Sequence, residues 1–313
     1  MMKGNIKYVL LICFFGFWNH QDTNAQQLPV YALQELCSPG YNPSYAAFEE
    51  LKDLMIISRQ QWLGFEDAPR SYYTSLNFPL QAENMGVGMD IRQEGSGPLN
   101  RSAVFFSYGY SIKISPLSRI SFGLRGGVQS YRIQLTDLEL VQQGDVLFQE
   151  DIRSRILPNV GTGVHFSYKN YYLDFSAPTL LKNRFTATSE TNSSDENRED
   201  RILFFQAGGD IRVSEDIIFQ PSVVVWNTSN APGMVDLRIG ATLKDTFHAG
   251  IAYRVSGVLS SYFSVSFLEK YIISYAYELP LSYNYKLSTG SHEIAFGIDF
   301  EFFSRKTLSP RRF

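Results

Sequence analysis

The chain has 313 residues with 28 basic and 31 acidic side chains, a formal net charge of −3, and an aromatic content of 15%. That balance excludes the basic footprint of a nucleic-acid-binding protein. Its two cysteines, Cys13 and Cys37, are too few for a disulfide framework or a cysteine metal cluster.

Residues 1–25 read as a secretory signal. Lys3 and Lys7 supply a positive start, Tyr8 to Trp18 an apolar core, and Thr23-Asn24-Ala25 a cleavage site of small residues. The apolar run is shorter than the roughly 20 residues that a spanning helix needs. Ile12 ahead of Cys13 argues against lipid attachment. Losing Lys3, Lys7 and Asp22 takes the 28 basic and 31 acidic residues to 26 and 30, a net charge of −4. Cys37 is then the one remaining cysteine.

Residues 26–53 form a lead-in. It carries the turn-rich run Pro39-Gly40-Tyr41-Asn42-Pro43-Ser44-Tyr45, followed by a short helical turn over 46–53. The segment is too small for a folded plug domain. Any filling of a lumen is therefore expected from side chains or loops, with the lead-in on the periplasmic side and Asn42-Pro43 fixing the approach to the first strand.

From Leu54 the sequence predicts strands at 54–62, 70–78, 84–92, 101–114, 119–132, 155–168, 171–177, 201–213, 217–226, 234–243, 246–254, 259–268, 271–279 and 292–303. Side chains on a strand alternate faces, so an apolar and a polar parity mark its two sides. In the last strand Ile294, Phe296, Ile298, Phe300 and Phe302 oppose Glu293, Ala295, Gly297, Asp299 and Glu301. Met85, Val87, Met89 and Ile91 likewise oppose Gly86, Gly88, Asp90 and Arg92. The strand at 201–213 is partly apolar on both faces. Strands of about 9–11 residues, apolar outward and polar inward, are the elements of a membrane barrel.

The connections alternate. Segments 63–69, 93–100, 133–154, 178–200, 227–233, 255–258 and 280–291 are longer; 79–83, 115–118, 169–170, 214–216, 244–245 and 269–270 are short. Outer-membrane barrels have short periplasmic turns and longer outer loops, an asymmetry not expected of a soluble β-sandwich. The fold class is therefore an all-β, antiparallel, up-and-down transmembrane barrel of about 14 strands over 54–303. A short tail follows at 304–313. The 189–200 segment is polar and acidic, whereas 133–154 mixes leucines with acids and is apolar enough to cover the mouth or meet a partner.

No catalytic, cofactor or metal site is expected. His165, His248 and His292 lie in separate strands with no metal-ligand spacing. Ser167 shares a face with His165, but a shared face is not a nucleophile–base pair. The lumen parity carries Arg59, Asp90, Arg92, Arg125, Asp174, Asp236, Arg238, Arg254, Glu278, Asp299 and Glu301. Because buried charges without partners are costly, these mixed signs are expected to pair into a nearly closed interior.

Motifs spread along the chain resemble the PorP/SprF family of outer-membrane proteins of the Bacteroidetes type IX secretion and gliding machinery. The opening signature is Asn42-Pro43-Ser44-Tyr45-Ala46, then Arg59 through Trp62-Leu63-Gly64-Phe65, and Ala68-Pro69. Gly95-Ser96-Gly97-Pro98 and Ser121 to Arg125 follow, then Pro158-Asn159-Val160-Gly161-Thr162-Gly163, Asn170-Tyr171-Tyr172 and Ser176-Ala177-Pro178. Gly290-Ser291-His292-Glu293-Ile294 closes the series. Ala47 and Leu36-Cys37-Ser38 depart from the pattern. In this reading Asn42, Pro43, Tyr45, Trp62, Gly64, Phe65, Pro69, Pro158, Asn159, Gly161, Gly163, His292 and Glu293 are structural or partner-contact residues, with Trp62 at a membrane interface.

The resemblance implies an exported outer-membrane component that assists export or surface anchoring of a large secreted protein. Its partners would be outer-membrane lipid, type IX secretion components and that secreted protein, with no nucleic acid and no cofactor. A diffusion channel or hydrophobic-solute transporter, and an outer-membrane enzyme, are the competing functions.

Overall fold

The computed structural model describes residues 30–48, 53–80, 84–134, 152–153, 156–183, 201–228, 231–281 and 289–300. Among these, fourteen strands form one closed antiparallel barrel. They are β1 (Leu54–Gln60), β2 (Arg70–Pro79), β3 (Met85–Ser96), β4 (Leu99–Ser115), β5 (Ser118–Ile133), β6 (Leu157–Tyr168) and β7 (Tyr171–Thr179). The circuit continues with β8 (Ile202–Gly209), β9 (Ile217–Thr228), β10 (Ala231–Leu243), β11 (Phe247–Arg254), β12 (Val258–Phe267), β13 (Tyr271–Pro280) and β14 (Ser291–Ile298). Each strand pairs with the next, and β14 returns to β1 with Leu54 opposite Ile298 and Gln60 opposite His292. Closure leaves no unpaired edge in lipid, where an unsatisfied backbone group costs several kcal/mol, about the full penalty of burial without a partner.

The predicted strand at 201–213 resolves into β8 and a two-residue piece, Ile211–Arg212, that pairs with the start of β9. The last strand ends at Ile298; Glu301, Phe302 and the tail lie outside the described residues, as do most of the 133–154 loop and the 189–200 loop.

The outer face is apolar because one parity of every strand is. Phe106, Tyr108, Leu124, Val160, Leu173, Phe175, Leu237, Ile239, Ile251, Phe263, Ile273, Ile294 and Phe296 are all exposed there. The opposite parity is buried and polar, including Ser71, Ser75, Asp90, Arg92, Ser107, Arg125, Gln129, Asp174, Ser260, Ser264, Ser274 and Glu293. Among the described residues no helix is long and apolar enough to cross a membrane.

The loop alternation is weaker than the sequence implies. Segments expected as loops at 93–100 and 227–233 are mostly strand, the first closed by a turn at 97–98. β4 has 17 residues. At about 3.3 Å per residue it exceeds the roughly 25 Å apolar band of such barrels even when tilted, so β3, β4 and β5 project beyond the membrane as sheet instead of breaking into a loop.

The main departure lies inside. Residues 30–48 were expected as a periplasmic approach to β1, with side chains or loops alone filling the lumen. They instead occupy the lumen as two short 3-10 turns, Gln34–Cys37 and Pro43–Ala47, flanking one α-turn, Ser38–Tyr41. Val30 to Leu33, Cys37, Tyr41 and Ala46 are buried. A segment this short needs no core of its own when the barrel wall supplies its partners.

Candidate functional site: the lumen and its internal strap

β1 begins at the short-turn end, which in outer-membrane barrels is the periplasmic one, and in that frame odd strands run outward and even strands run back. The strap of residues 30–48 enters this frame through three sets of contacts.

The first runs down the lumen from Glu293 near the outer end to His248 near the other. Glu293 on β14 accepts hydrogen bonds from the backbone N–H groups of Ala32 (2.8 Å) and Leu33 (2.9 Å). Arg238 on β10 donates to the Ala32 carbonyl at 2.7 Å. Arg59 on β1 bridges Glu293 (2.8 Å) and Glu278, and Arg254 links Glu278 to Asp236. Glu35 pairs with Arg238 (3.5 Å) and His248 (3.4 Å). Cys37 is a free, buried thiol.

The second set grips the middle. Arg92 and Arg125 both donate to the Gly40 carbonyl, and Asp90 binds both guanidinium groups in turn. Ser176 donates to the Tyr41 carbonyl at 2.7 Å. Two guanidinium groups converge on one carbonyl because Asp90 offsets their mutual repulsion.

The third set centres on Asp174. Its carboxylate accepts from Asn42 Nδ2 (3.0 Å) and Tyr45 Oη (2.9 Å), and lies 2.9 Å from His165 Nδ1. Phe48 and Tyr45 pack edge-on to the His165 ring, and Tyr172 stacks on it. The Asn42 side chain caps the second 3-10 turn by accepting from Ser44 N. Asn42-Pro43 thus seats the strap in the lumen.

The backbone of 42–47 can approach the wall because the wall has no side chains there. Gly86, Gly109, Gly123 and Gly163, on β3 to β6, stand directly opposite one another across successive strand pairs. A β-carbon on Gly86 would collide with the Ala46 carbonyl. On Gly109 it would meet Ala47, on Gly123 Pro43 and Ser44, and on Gly163 Asn42. Ser176, the next residue in this row, supplies the bond to Tyr41.

Of the lumen charges expected to pair, Arg59, Asp90, Arg92, Arg125, Asp174, Asp236, Arg238, Arg254 and Glu278 are all buried and engaged. Asp299 is half-buried.

The signature residues separate into groups. Asn42, Pro43, Tyr45, Gly163 and Glu293 converge on the strap. Pro158, Asn159 and Gly161 lie at the outer end of β6. There Asn159 Oδ1 accepts from Val160, Leu180 and Leu181 N–H groups at 2.9–3.0 Å, Pro158 O accepts from Asn183, and Gly161 leaves room for the Pro178 carbonyl. Trp62, Gly64, Phe65 and Pro69 shape the exposed first outer loop, in which Trp62 and Gly64 have φ of 45° and 100° and Pro69 O accepts from Gln61 N. His292 bonds Tyr275 Oη at 2.7 Å on the outward side. The sequence reading missed Gly86, Gly109 and Gly123 as strap contacts; their signal was glycine on the lumen parity of successive strands.

In structure the chain is similar to the Ralstonia pickettii toluene transporter TbuX (11% identity, TM-score 0.47, 83% of this chain and 92% of that one). It is also similar to the TodX monoaromatic hydrocarbon channel (8%, 0.48, 83% and 93%) and the Acinetobacter baumannii outer membrane protein Omp33 (5%, 0.43, 80% and 98%). No curated protein matches it in sequence. The family model described as "Type IX secretion system membrane protein PorP/SprF" matches residues 23–298. With that match running from the lead-in through the last strand, and with a closed outer-membrane barrel as its structure, the chain belongs to the PorP/SprF family of type IX secretion system membrane proteins.

Proposed function

We propose that this barrel holds or passes on a specific secreted surface protein within type IX secretion, and neither conducts solutes nor catalyses a reaction. The observation that carries this reading is the strap. A segment of the protein's own chain crosses the lumen, bound by Glu293, Arg238, Arg92, Arg125, Ser176 and Asp174. An aqueous pore would need that path clear. His165 is engaged with Asp174 and the strap's aromatic rings, a structural role for the histidine that shares a strand face with Ser167.

The strap's burial changes which surfaces serve contact. Residues 30–48 are committed to the lumen, so machinery on the periplasmic side would meet the short turns, where Leu117, Val213 and Leu268 are exposed. A secreted partner would meet the outer loops, where Trp62, Leu63 and Phe65 are exposed on a loop tied down by Leu63 N to Gly290 O (3.0 Å) and Gly97 N to Asp67 O (3.0 Å). Aromatic anchors on a fixed backbone are the usual centre of a protein contact.

The test is deletion of this gene alone, with the surface proteome and solute uptake compared before and after. Loss of one or a few large surface proteins with uptake unchanged is expected. An unchanged surface proteome with lost uptake of one solute would favour a transporter with a displaceable strap.

A further inference from the structure

We propose that the lumen wall is a binding site for a peptide supplied in trans, that the strap is its resident occupant, and that a segment of the secreted partner with the pattern Gly-x-Asn-x-x-Tyr exchanges for it. The identity of that partner rests on the type IX role proposed above; the site itself rests on the wall.

The wall holds the strap chiefly by its main chain. Glu293 takes the Ala32 and Leu33 N–H groups, Arg238 the Ala32 carbonyl, Arg92 and Arg125 the Gly40 carbonyl, and Ser176 the Tyr41 carbonyl. In peptide recognition, main-chain bonds of this kind supply affinity and places for chosen side chains supply specificity.

The receiving groups are set by the wall. Asp90 holds Arg92 at 3.1 Å and Arg125 at 2.8 Å, Arg59 holds Glu293 at 2.8 Å, and His165 holds Asp174 at 2.9 Å. The Arg238 guanidinium lies 5.1 Å from the centre of the Tyr262 ring. None of these fixing residues belongs to the strap, so the site is organised before any peptide enters, which lowers the ordering cost of binding. An emptied wall would leave Arg92, Arg125, Glu293 and Asp174 with fewer partners, so exchange of one peptide for another is favoured over vacancy.

Three positions select the occupant. A β-carbon at Gly40 would stand 2.6 Å from Arg92 Nη2 and 2.9 Å from the Tyr73 ring, displacing the guanidinium that grips the carbonyl. Two residues on, Asn42 donates to Asp174 at 3.0 Å and to the Val164 carbonyl at 3.2 Å. Three further, Tyr45 donates to the other Asp174 oxygen at 2.9 Å. The glycine row leaves room for the main chain of this stretch. Covalent attachment gives the strap an effective concentration on the order of millimolar, so a peptide in trans takes the site when the strap is weakened or the partner is held close by.

The experiment uses the full-length protein in detergent and a fluorescent synthetic peptide of the sequence 30–48 with Cys37→Ser, read by anisotropy. The pair Asn42→Ala and Tyr45→Ala weakens the strap and leaves the wall unchanged; Gly163→Val added to that pair obstructs the wall. Heat-modifiable migration on gels verifies each barrel. Because hydrogen bonds to a charged group are lost from the strap, the peptide is expected to bind the strap-weakened protein about tenfold or more tighter than the parent. The same loss of about tenfold or more is expected when the peptide itself carries Asn42→Ala and Tyr45→Ala, or when the wall carries Gly163→Val. No binding to the strap-weakened protein, whether or not its Cys37 becomes reactive, would show that the wall takes no peptide in trans and overturn the proposal. Equal binding of both peptides, or indifference to Gly163→Val, would mark adsorption outside the site and overturn it equally. Failed peptide binding alongside surface proteins lost on gene deletion would strike this inference and leave the type IX role standing. Peptide binding with an unchanged surface proteome would keep the site and strike the role.

Discussion

The side chain of Asn42 occupies the space in front of Gly163: a β-carbon on that glycine would stand 2.9 Å from the Asn42 carboxamide carbon and 3.0 Å from Pro43 Cδ. The lead-in and the wall of β6 are therefore cut to fit each other. Neither residue explains itself alone, since an asparagine in a turn and a glycine in a strand each have ordinary local reasons.

Filling the glycine row should unseat the strap while leaving the barrel closed. Gly123→Val places a branched side chain where Pro43 and Ser44 now lie, and overpacking of this kind costs about 1–3 kcal/mol. The readout is Cys37, which belongs to the strap and is buried with it. In detergent-solubilised protein its thiol should react at least tenfold faster in Gly123→Val and Gly163→Val than in the parent. Parental rates in both would show that the row does not hold the strap.

Asp174→Ala removes the shared acceptor for Asn42, Tyr45 and His165. Hydrogen bonds to a charged group are worth about 1.5–3 kcal/mol each, so the periplasmic half of the strap should detach transiently. In planar bilayers the parent should be nearly silent and Asp174→Ala should show intermittent openings. A parent that conducts steadily would contradict a lumen closed by the strap.

Arg59 bridges two buried carboxylates, Glu278 and Glu293. Arg59→Met takes away the ion pair to Glu293 and leaves Glu278 with Arg254 alone, and breaking a buried pair by removing one member costs about 3–5 kcal/mol. Arg70→Met, at an exposed position on β2, should fall within about 0.5 kcal/mol of the parent. Chemical denaturation in detergent separates the two; equal midpoints would mean the network is not maintained in solution.

Phe296 faces outward on β14, between Ala295 and Gly297, which face the lumen. An arginine on the lipid face costs about 2–4 kcal/mol at the bilayer midplane and much less toward the interfaces. Phe296→Arg should lower folding yield into vesicles, whereas Glu66→Arg in the outer loop should not. Equal yields would show that this face does not meet lipid.

The barrel was legible in the sequence because its cause is local and repeated. Each strand's facing depends only on period-two alternation, so Phe296 outward and Glu293 inward follow from neighbours one residue away. Mixed lumen charges imply pairing because an unpaired buried charge is costly wherever it sits. That strap residues 30–48 lie in the lumen could not follow from such reasoning. Their turn-forming residues, Pro39-Gly40 and Asn42-Pro43, read the same in a periplasmic linker as in a lumen. What holds them there is distant: Glu293 reaches Ala32 and Leu33, Asp174 reaches Asn42, and Arg92 and Arg125 meet at Gly40 only once fourteen strands have closed. The glycine row was present in the sequence as four separate residues on the lumen parity. Strand register alone brought Gly86, Gly109, Gly123 and Gly163 into one line, and that line let a segment too short to fold by itself borrow the wall as its core.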